Sequence, residues 1–430
     1  MCPVQSRRQW LVLIAAWAAL LSCAPTHAAL PGVTEFAAPA EKITDAMLSP
    51  LLYERVNAAR VIAIGETVHG SPGLLRIQTR LIQYLVTHHG IRLLVWETAA
   101  ERSLELTRWL AACSASRAPP PLDVLYFPTA ADRPLFEWLC EHNRVHPHDP
   151  VVFRGMDVWD RPWEHYARIR AAAGAWGTSA QIKAIANTCP GYRAASWADI
   201  EAVLLQGLAG YEPCQKALSA LLDHARRVGL DKKNPREADA AFEVAISAST
   251  LLGWLGYHLH ERNSDVLSWN ERDRAQGRNL MLLMEKHGAE CTVVSAHTSH
   301  VSHGRSAADW WRYGDLKSGV HYFHAFTAKP VFNLALTAYS ASGVQGEWSL
   351  PVSARSMDKK LHDAGHRLAY FASSAQFLSG HPRWWMQNQN TPGPHENGVE
   401  IVPRDHFDGY FFVDQSHLDQ ALPQRPVWRP

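Results

Sequence analysis

Six side chains sit where apolar runs end, and their types are those of a reactive centre. In VIAIGETVHGS, Val61 to Ser71, four apolar residues lead through Gly65 into Glu66, and His69 follows three positions later. IRLLVWE, Ile91 to Glu97, also ends in a carboxylate. VVFRGMDVW, Val151 to Trp159, carries Asp157 near its end, and TVVSAHTSH, Thr292 to His300, closes on His297 and His300. Imidazoles beside carboxylates suit general acid–base work, because the ordinary histidine pKa lies close to neutral pH. Glu66, His69, Glu97, His297 and His300 are also the N and O donors that Zn, Mn or Fe accept. One strand-end Glu or His is ordinarily a cap or a satisfied turn residue. Four runs that end in the same class of residue say more. If the strands are parallel neighbours, these groups converge on one rim of a sheet, where α/β proteins keep their chemistry.

The intervening elements must bring that convergence about. Gln78 to His88 has helical apolar spacing at Leu81, Ile82, Leu85 and Val86. With the strand Ile91–Glu97 after it, this is the strand–helix–strand order of a parallel crossover. A Pro-rich loop over Ser114–Leu122 precedes a helix through Leu135–Asn143. The middle, about Glu164 to Arg262, is rich in Ala and Leu and reads as a mainly helical insertion, 164–262. A helix around Asp273–Lys286 leads to the strand Thr292–His297. Further strands are expected at His321–Ala328, Val331–Tyr339, Arg367–Ala372 and Gly409–Val413. The expected fold is α/β, a central, mostly parallel sheet flanked by helices.

Composition narrows the function class. The chain has 430 residues, 47% of them hydrophobic, and a formal charge of +1, so it can bury a large core and lacks the basic balance of a nucleic-acid binder. Arg7 and Arg8 precede an apolar run, Trp10–Leu21, that is short for a membrane span and suited to a signal peptide. Cleavage before Ala29 would remove residues 1–28. The alternative is LLSC, Leu20 to Cys23, used as a lipobox that leaves a lipidated, membrane-anchored Cys23. Either route exports the chain, to the periplasm or beyond. In an oxidising compartment Cys113–Cys140 and Cys189–Cys214 are the natural local pairs, the other reading being five free thiols beyond Cys23. Cys291 reads as a buried, inert core thiol. His303 reads as a surface-loop histidine, and the 17 tryptophans as packing.

Taken in order, GETVHG, LLVWE, FRGMD, Arg272-Asp273 and VVSAHTSHVS resemble the erythromycin esterase family. That family's pattern is G-E-x-x-H opening a helix, a strand ending in Glu, F-x-G-x-D, R-D before a helix, and A-H-x-x-H. HFDGYFFV, His406 to Val413, is similar to its closing strand, and the likeness runs from about Leu52 to Val413. The resemblance implies one hydrolase domain over 35–420 that acts on a carboxylic ester or lactone, a small-molecule substrate. It implies His69 as the base that activates water, Glu66 and Glu97 as its partners, and His297 and His300 as groups for the oxyanion or the leaving alkoxide. No cofactor is implied.

Two positions depart from the family. Four and nine residues after the active histidine, where a Glu and an Arg are common, stand Gly73 and Gln78. Gln78 and Asp157 are therefore the substrate-binding candidates. Arg76 and Arg80 cannot replace the missing guanidinium, since a shift of two residues turns a helical side chain by about 200°. The substrate side is altered, so the ester is a macrolide or another. One alternative is a metal-dependent hydrolase that grips a divalent ion with Glu66, His69, Glu97, His297 and His300, as distantly similar metalloproteases do. Another is a non-enzymatic haem- or ligand-binding lipoprotein, against which the paired carboxylates count.

Overall fold

The apolar runs become strands of one sheet because their alternate residues find two separate apolar layers. The computed structural model describes residues 30–423, except 114–117, 206–210, 232, 262–263, 305–315, 345, 350–354, 382, 388–397 and 419–420. The signal-like segment 1–28, with Cys23, lies outside the described residues. The strands are β1 (Val33–Glu35), β2 (Val61–Glu66), β3 (Leu93–Ala99), β4 (Val152–Asp157), β5 (Thr292–His297), β6 (Val331–Gly343), β7 (Gly346–Ser349) and β8 (Leu368–Ala372). They are followed by β9 (Trp384–Gln387), β10 (Gly398–Ile401) and β11 (Gly409–Ser416). The main sheet has the order β1-β8-β11-β6-β2-β5-β3-β4, with β7 paired to β6; β9 and β10 form a separate two-stranded sheet. From β11 to β4 every neighbouring pair is parallel, while β8, β1 and β7 join antiparallel. The fold is the expected α/β, with a mostly parallel sheet.

Period-two alternation sorts each strand between the layers. Ile62 and Ile64 pack with Leu48, Leu81 and Phe136 from helices Asp45–Ala58, Pro72–His89 and Arg133–Val145. Val61 and Ala63 face the other way, into a core shared with Leu251, Leu283 and Phe323. That second layer holds five helices between Pro162 and His260, then helices Asp265–His287 and Gly319–Thr327. In the helix Pro235–His260 every residue from Val244 to His258 is buried. Such a helix, apolar on all sides, belongs in an interior. Arg154 of β4 pins it through two hydrogen bonds to Glu243, 2.8 and 3.0 Å, and Lys286 adds a third cationic contact. Burial resists the Glu243 charge, but Arg154 and Lys286 prevail and hold its pKa down to about 2.

Two expectations need correction. His321–Ala328 is not a strand but most of a helix, Gly319–Thr327. Ser318 caps it, accepting from the His321 N–H at 3.0 Å, and the buried positions Gly319, Val320, Tyr322 and Phe323 follow helical spacing. The aromatic alternation imitated a strand. Close packing favours the helix, because Gly277 of the neighbouring helix lies where an added Cβ would come within 2.5 Å of the Gly319 carbonyl oxygen. Nor does His303 face solvent: its side chain is 9% exposed and its Nε2 pairs with Asp408 at 2.9 Å.

Both local cysteine pairs are bonded. Cys113–Cys140 ties the end of helix Ser103–Ala112 to the middle of helix Arg133–Val145, and Cys189–Cys214 ties the end of helix Ser179–Thr188 to the first turn of helix Tyr211–Leu230, with Cα separations of 5.8 and 4.6 Å. Cys291 remains a thiol but is half-buried at the edge of the core rather than fully inside it as expected, and burial pushes its pKa to about 11. The two disulfides suit an oxidising compartment. Among the described residues no helix is long and apolar enough to cross a membrane. Replacing Cys189 and Cys214 together by alanine should lower unfolding free energy by ~2–4 kcal/mol, because an open loop of this length restores entropy to the unfolded chain. Urea denaturation of the double variant beside the wild type measures it, with peptide mapping under non-reducing conditions to establish both bridges.

Candidate active site

β2, β5, β3 and β4 are consecutive in the sheet, so the run ends read from the sequence fall side by side on one rim. Glu66 lies opposite His297, and Ala99, two residues past Glu97, lies opposite Asp157. From β2 the chain travels outward to β3 and β4, returns to β5, and then continues to β6 on the other side of β2. A rim where the winding direction reverses opens a crevice at the carboxyl ends of the strands.

One half of the site is an imidazole on a carboxylate. After β2 the chain turns through Thr67–Gly70 and enters the helix Pro72–His89. Gly70 makes that turn with φ +68°, a left-handed conformation that costs glycine little. His69 is thereby folded back over its own strand, with Nδ1 2.8 Å from Glu66 Oε1. Its ring stacks on Phe127, centroids 4.0 Å apart, and lies 4.9 Å from the His297 ring. Burial raises the Glu66 pKa against the pull of His69, and the charge of Glu97 adds to the rise. Glu66 Oε2 is buried and accepts no hydrogen bond from the protein. Glu66, His69 and Glu97 line a cavity of about 20 Å³ together with Tyr126, Phe127 and Asp132. That volume holds about one water.

The other half is a buried cation. Arg272, 1% exposed, gives Nε to Asp157 Oδ1 at 3.0 Å, and its Nη2 reaches Asp157 Oδ2 at 2.5 Å and Glu97 Oε1 at 2.8 Å. Trp159 and Trp269 cover the guanidinium, 3.9 and 5.0 Å from their ring centroids. His300 joins the group: Nδ1–H donates to Asp273 Oδ1 at 2.7 Å, and Nε2 lies 3.2 Å from Glu97 Oε1 and 2.8 Å from Arg272 Nη1. A charged ring donates from Nε2 to Glu97, whereas a neutral ring accepts from Arg272. Burial works against the charge, but Asp273 and Glu97 prevail and raise the His300 pKa to about 9. Burial likewise opposes the Glu97 charge, yet His300 and Arg272 hold its carboxyl well below the usual range.

His297 sits between the halves and is committed to structure. Its backbone N–H donates to Glu97 Oε2 at 2.7 Å, its Nδ1 accepts from the Ser299 N–H at 3.2 Å, and its Nε2 lies 3.3 Å from the Thr67 carbonyl oxygen. It caps the short helix Thr298–Val301. Burial and the neighbouring His69 ring push its pKa well down, so the ring is neutral.

The structure thus brings Glu66, His69, Glu97, His297 and His300 together, but only the first three line the cavity. Asp157 lies beneath Arg272 with no exposed surface. Gln78 is buried within its helix, away from the cavity wall, and its Oε1 accepts no hydrogen bond. Arg76 pairs with Glu41 and Arg80 with Asp45, and neither lines the cavity. Sequence reading passed over Arg272 and Asp273 as site residues although the R-D element was in view. It also passed over Tyr126, Phe127 and Asp132, which come from a loop with no periodic signal, and the two tryptophans on Arg272. As for a metal, Glu97, His297 and His300 already serve the partners above. Among the described residues no three His, Cys, Asp or Glu side chains are grouped as an ion would need.

Glu97→Gln removes one of the three carboxylates, with Asp157 and Asp273, that balance Arg272 and His300 in the interior. Loss of one member of a buried ion pair costs about 3–5 kcal/mol, and denaturation at neutral pH should show a loss of that order. The charged His300 contributes stability that is complete below its ordinary 6.5 and is lost as pH rises through about 9. Wild-type stability should therefore fall across that interval, and the fall should be shallower in Glu97→Gln.

Comparison with known proteins agrees with this architecture. The sequence model of the family described as erythromycin esterase matches residues 86–416. No curated protein sequence matches. Among solved structures, a Bacillus cereus protein is 16% identical with a TM-score of 0.66, covering 98% of this chain and 100% of its own. A succinoglycan biosynthesis protein is 14% identical, TM-score 0.65, over 90% of this chain and 96% of that one. A mutant of the erythromycin esterase EreC in its open conformation is 14% identical, TM-score 0.63, over 92% and 99%. At such identities the structural likeness speaks for the fold alone, and the sequence match is what decides membership. With that match spanning most of its length, the chain belongs to the erythromycin esterase family.

Proposed function

We propose that the protein is an exported ester or lactone hydrolase in which His69 activates water. The observation that carries this reading is the Glu66–His69 pair against a cavity sized for one water. With Glu66 ionised, Nδ1–H of His69 donates to it, and Nε2 holds the lone pair that takes the proton from water. Glu66 and Glu97 both favour the imidazolium as it forms, and Arg272 with His300 keeps Glu97 ionised for that task. His297 and Asp157 act as positioning residues: the first fixes the Glu97 carboxylate from its backbone, the second anchors Arg272.

The substrate's non-reacting part has a place beside this cavity. A groove of about 410 Å³ has Pro72, Ala130 and Pro134 on one part of its wall and the polar side chains of Glu41, Arg76 and Arg80 on another. Pro72 and Thr129–Ala131 line the groove, while their chain neighbours Gly70 and Asp132 line the cavity. Among the described residues no lysine or arginine lines the cavity, whose titratable groups include Glu66, Glu97, His69 and Asp132, and this polarity favours an uncharged acyl group over an anionic one. The paired cysteines fit export, and the family fits a small-molecule substrate. Catalysis by this route uses no metal.

His69→Ala should lower ester turnover by ~10²–10⁴-fold, the usual effect of losing a general base, while the variant keeps wild-type circular dichroism and melting. The assay is a panel of esters and lactones, macrolides included, run on chelator-treated protein. Activity that His69→Ala retains, or that returns only with an added ion, would overturn the mechanism.

A further inference from the structure

Asp132 has no part in the reading above, yet it shares the cavity wall with Glu66, His69 and Glu97. It is 6% exposed, at the end of a short 3-10 turn, Ala130–Asp132. Its Oδ2 is held by the Thr129 N–H at 2.8 Å and the Thr129 hydroxyl at 3.1 Å, so the carboxyl has one fixed orientation. Thr129 is itself bridged to Ala421, and the Leu422 N–H donates to the Pro128 carbonyl, which fixes the turn from the C-terminal side.

Resting on the ester-hydrolase reading, we propose that Asp132 is the general acid of the reaction, the group that protonates the departing alcohol oxygen. The groups that face it are Glu66 from the end of β2, His69 from the turn after it, Glu97 from β3, and the Tyr126 phenol from its own loop. Two are carboxylates, and no lysine or arginine lines the cavity. Burial, against the Thr129 hydrogen bonds and with the Glu66 charge adding to it, raises the Asp132 pKa to about 7. Carboxyls whose surroundings push their pKa values apart divide the acid and base roles of a site. Here Glu97 is held ionised while Asp132 keeps its proton near neutrality.

The steps balance. The water oxygen bonds the acyl carbon as one of its protons passes to His69. The acyl carbon–oxygen bond then breaks, its electron pair leaves on the alcohol oxygen, and that oxygen takes the Asp132 proton. On product release the imidazolium proton returns to Asp132, and the product acid gives its own proton to solvent.

The test compares wild type and Asp132→Asn on two esters with one acyl group, ethyl butyrate and p-nitrophenyl butyrate. Asparagine's carbonyl oxygen can still accept both Thr129 hydrogen bonds, so the turn is kept. A general acid matters for the poor leaving group and little for the good one. We expect ~10²-fold lower kcat/KM on ethyl butyrate and less than ~3-fold on p-nitrophenyl butyrate. Wild-type turnover of ethyl butyrate should fall as pH rises through about 7, and Asp132→Asn should lack that limb. Infrared difference spectra supply a readout without substrate: a protonated-carboxyl band in the wild type below that pH, lost above it and absent from the variant. Equal losses on both esters, no loss on either, or no such band overturns the assignment. If wild type hydrolyses no ester in a wider panel, the hydrolase reading falls and the acid role with it, whatever the band shows.

Discussion

The Arg272 guanidinium is the interaction on which the site's arrangement depends. It is a full charge almost without solvent contact, and such a charge persists only when paired and hydrogen-bonded. Asp157 and Glu97 supply the countercharge, His300 holds the same Glu97 carboxylate at 3.2 Å, and two tryptophan faces cover what remains. These partners come from β4, β3, the short helix after β5 and the helical layer. The same contacts that satisfy one cation therefore fix the relative positions of the carboxyl ends of three strands. Glu97 links the two halves: Oε1 belongs to the cation, and Oε2 receives the His297 backbone beside the His69 ring. A displacement of Arg272 would be felt at His69 through that carboxylate.

The strand ends were legible because period-two apolar runs mark buried strands and the polar residue that stops a run marks its end. β5 matches the expected Thr292–His297, and β2 ends on Glu66 as the run does. The same logic misread His321–Ala328, where aromatic residues alternate with polar ones but bury a helical stripe. It could not separate His297 from His300 either. Both close a strand in the same motif, yet His297 caps a short helix with Nδ1 against Ser299 and Nε2 near the Thr67 carbonyl, while His300 is held by two carboxylates. That difference is set by Asp273 and Glu97, which lie far from His300 along the chain.

Loop residues of the cavity were not legible at all. Phe127 and Asp132 belong to a stretch with no periodicity, and their place beside His69 depends on how residues 126–132 cross the rim. The Thr129 to Asp132 capping arrangement was a local signal that could have marked the turn, since a hydroxyl three residues before a carboxyl is the pattern of a capping box. Even so, it predicts a helix start and says nothing of what the carboxyl faces. Trp159 and Trp269 show the same limit. Their composition suggests packing, and only the fold reveals that what they pack against is a cation.

The two departures from the family pattern make sense once charge is followed through the fold. At Gly73 the backbone N–H donates to Ser416 Oγ at 2.8 Å, and an added Cβ would sit at the same distance from that oxygen. A glutamate there would collide with the end of β11. An arginine at position 78 would be buried where Gln78 now lies, without the glutamate to accompany it. What remains around the cavity is acidic apart from His69, and the compensating positive charge lies behind Glu97, on Arg272 and His300. Positive charge in that position favours an ionised Glu97, which shares the cavity wall with His69. The cation is thus linked to the His69 side of the site through the carboxylate between them, without having to reach the cavity itself.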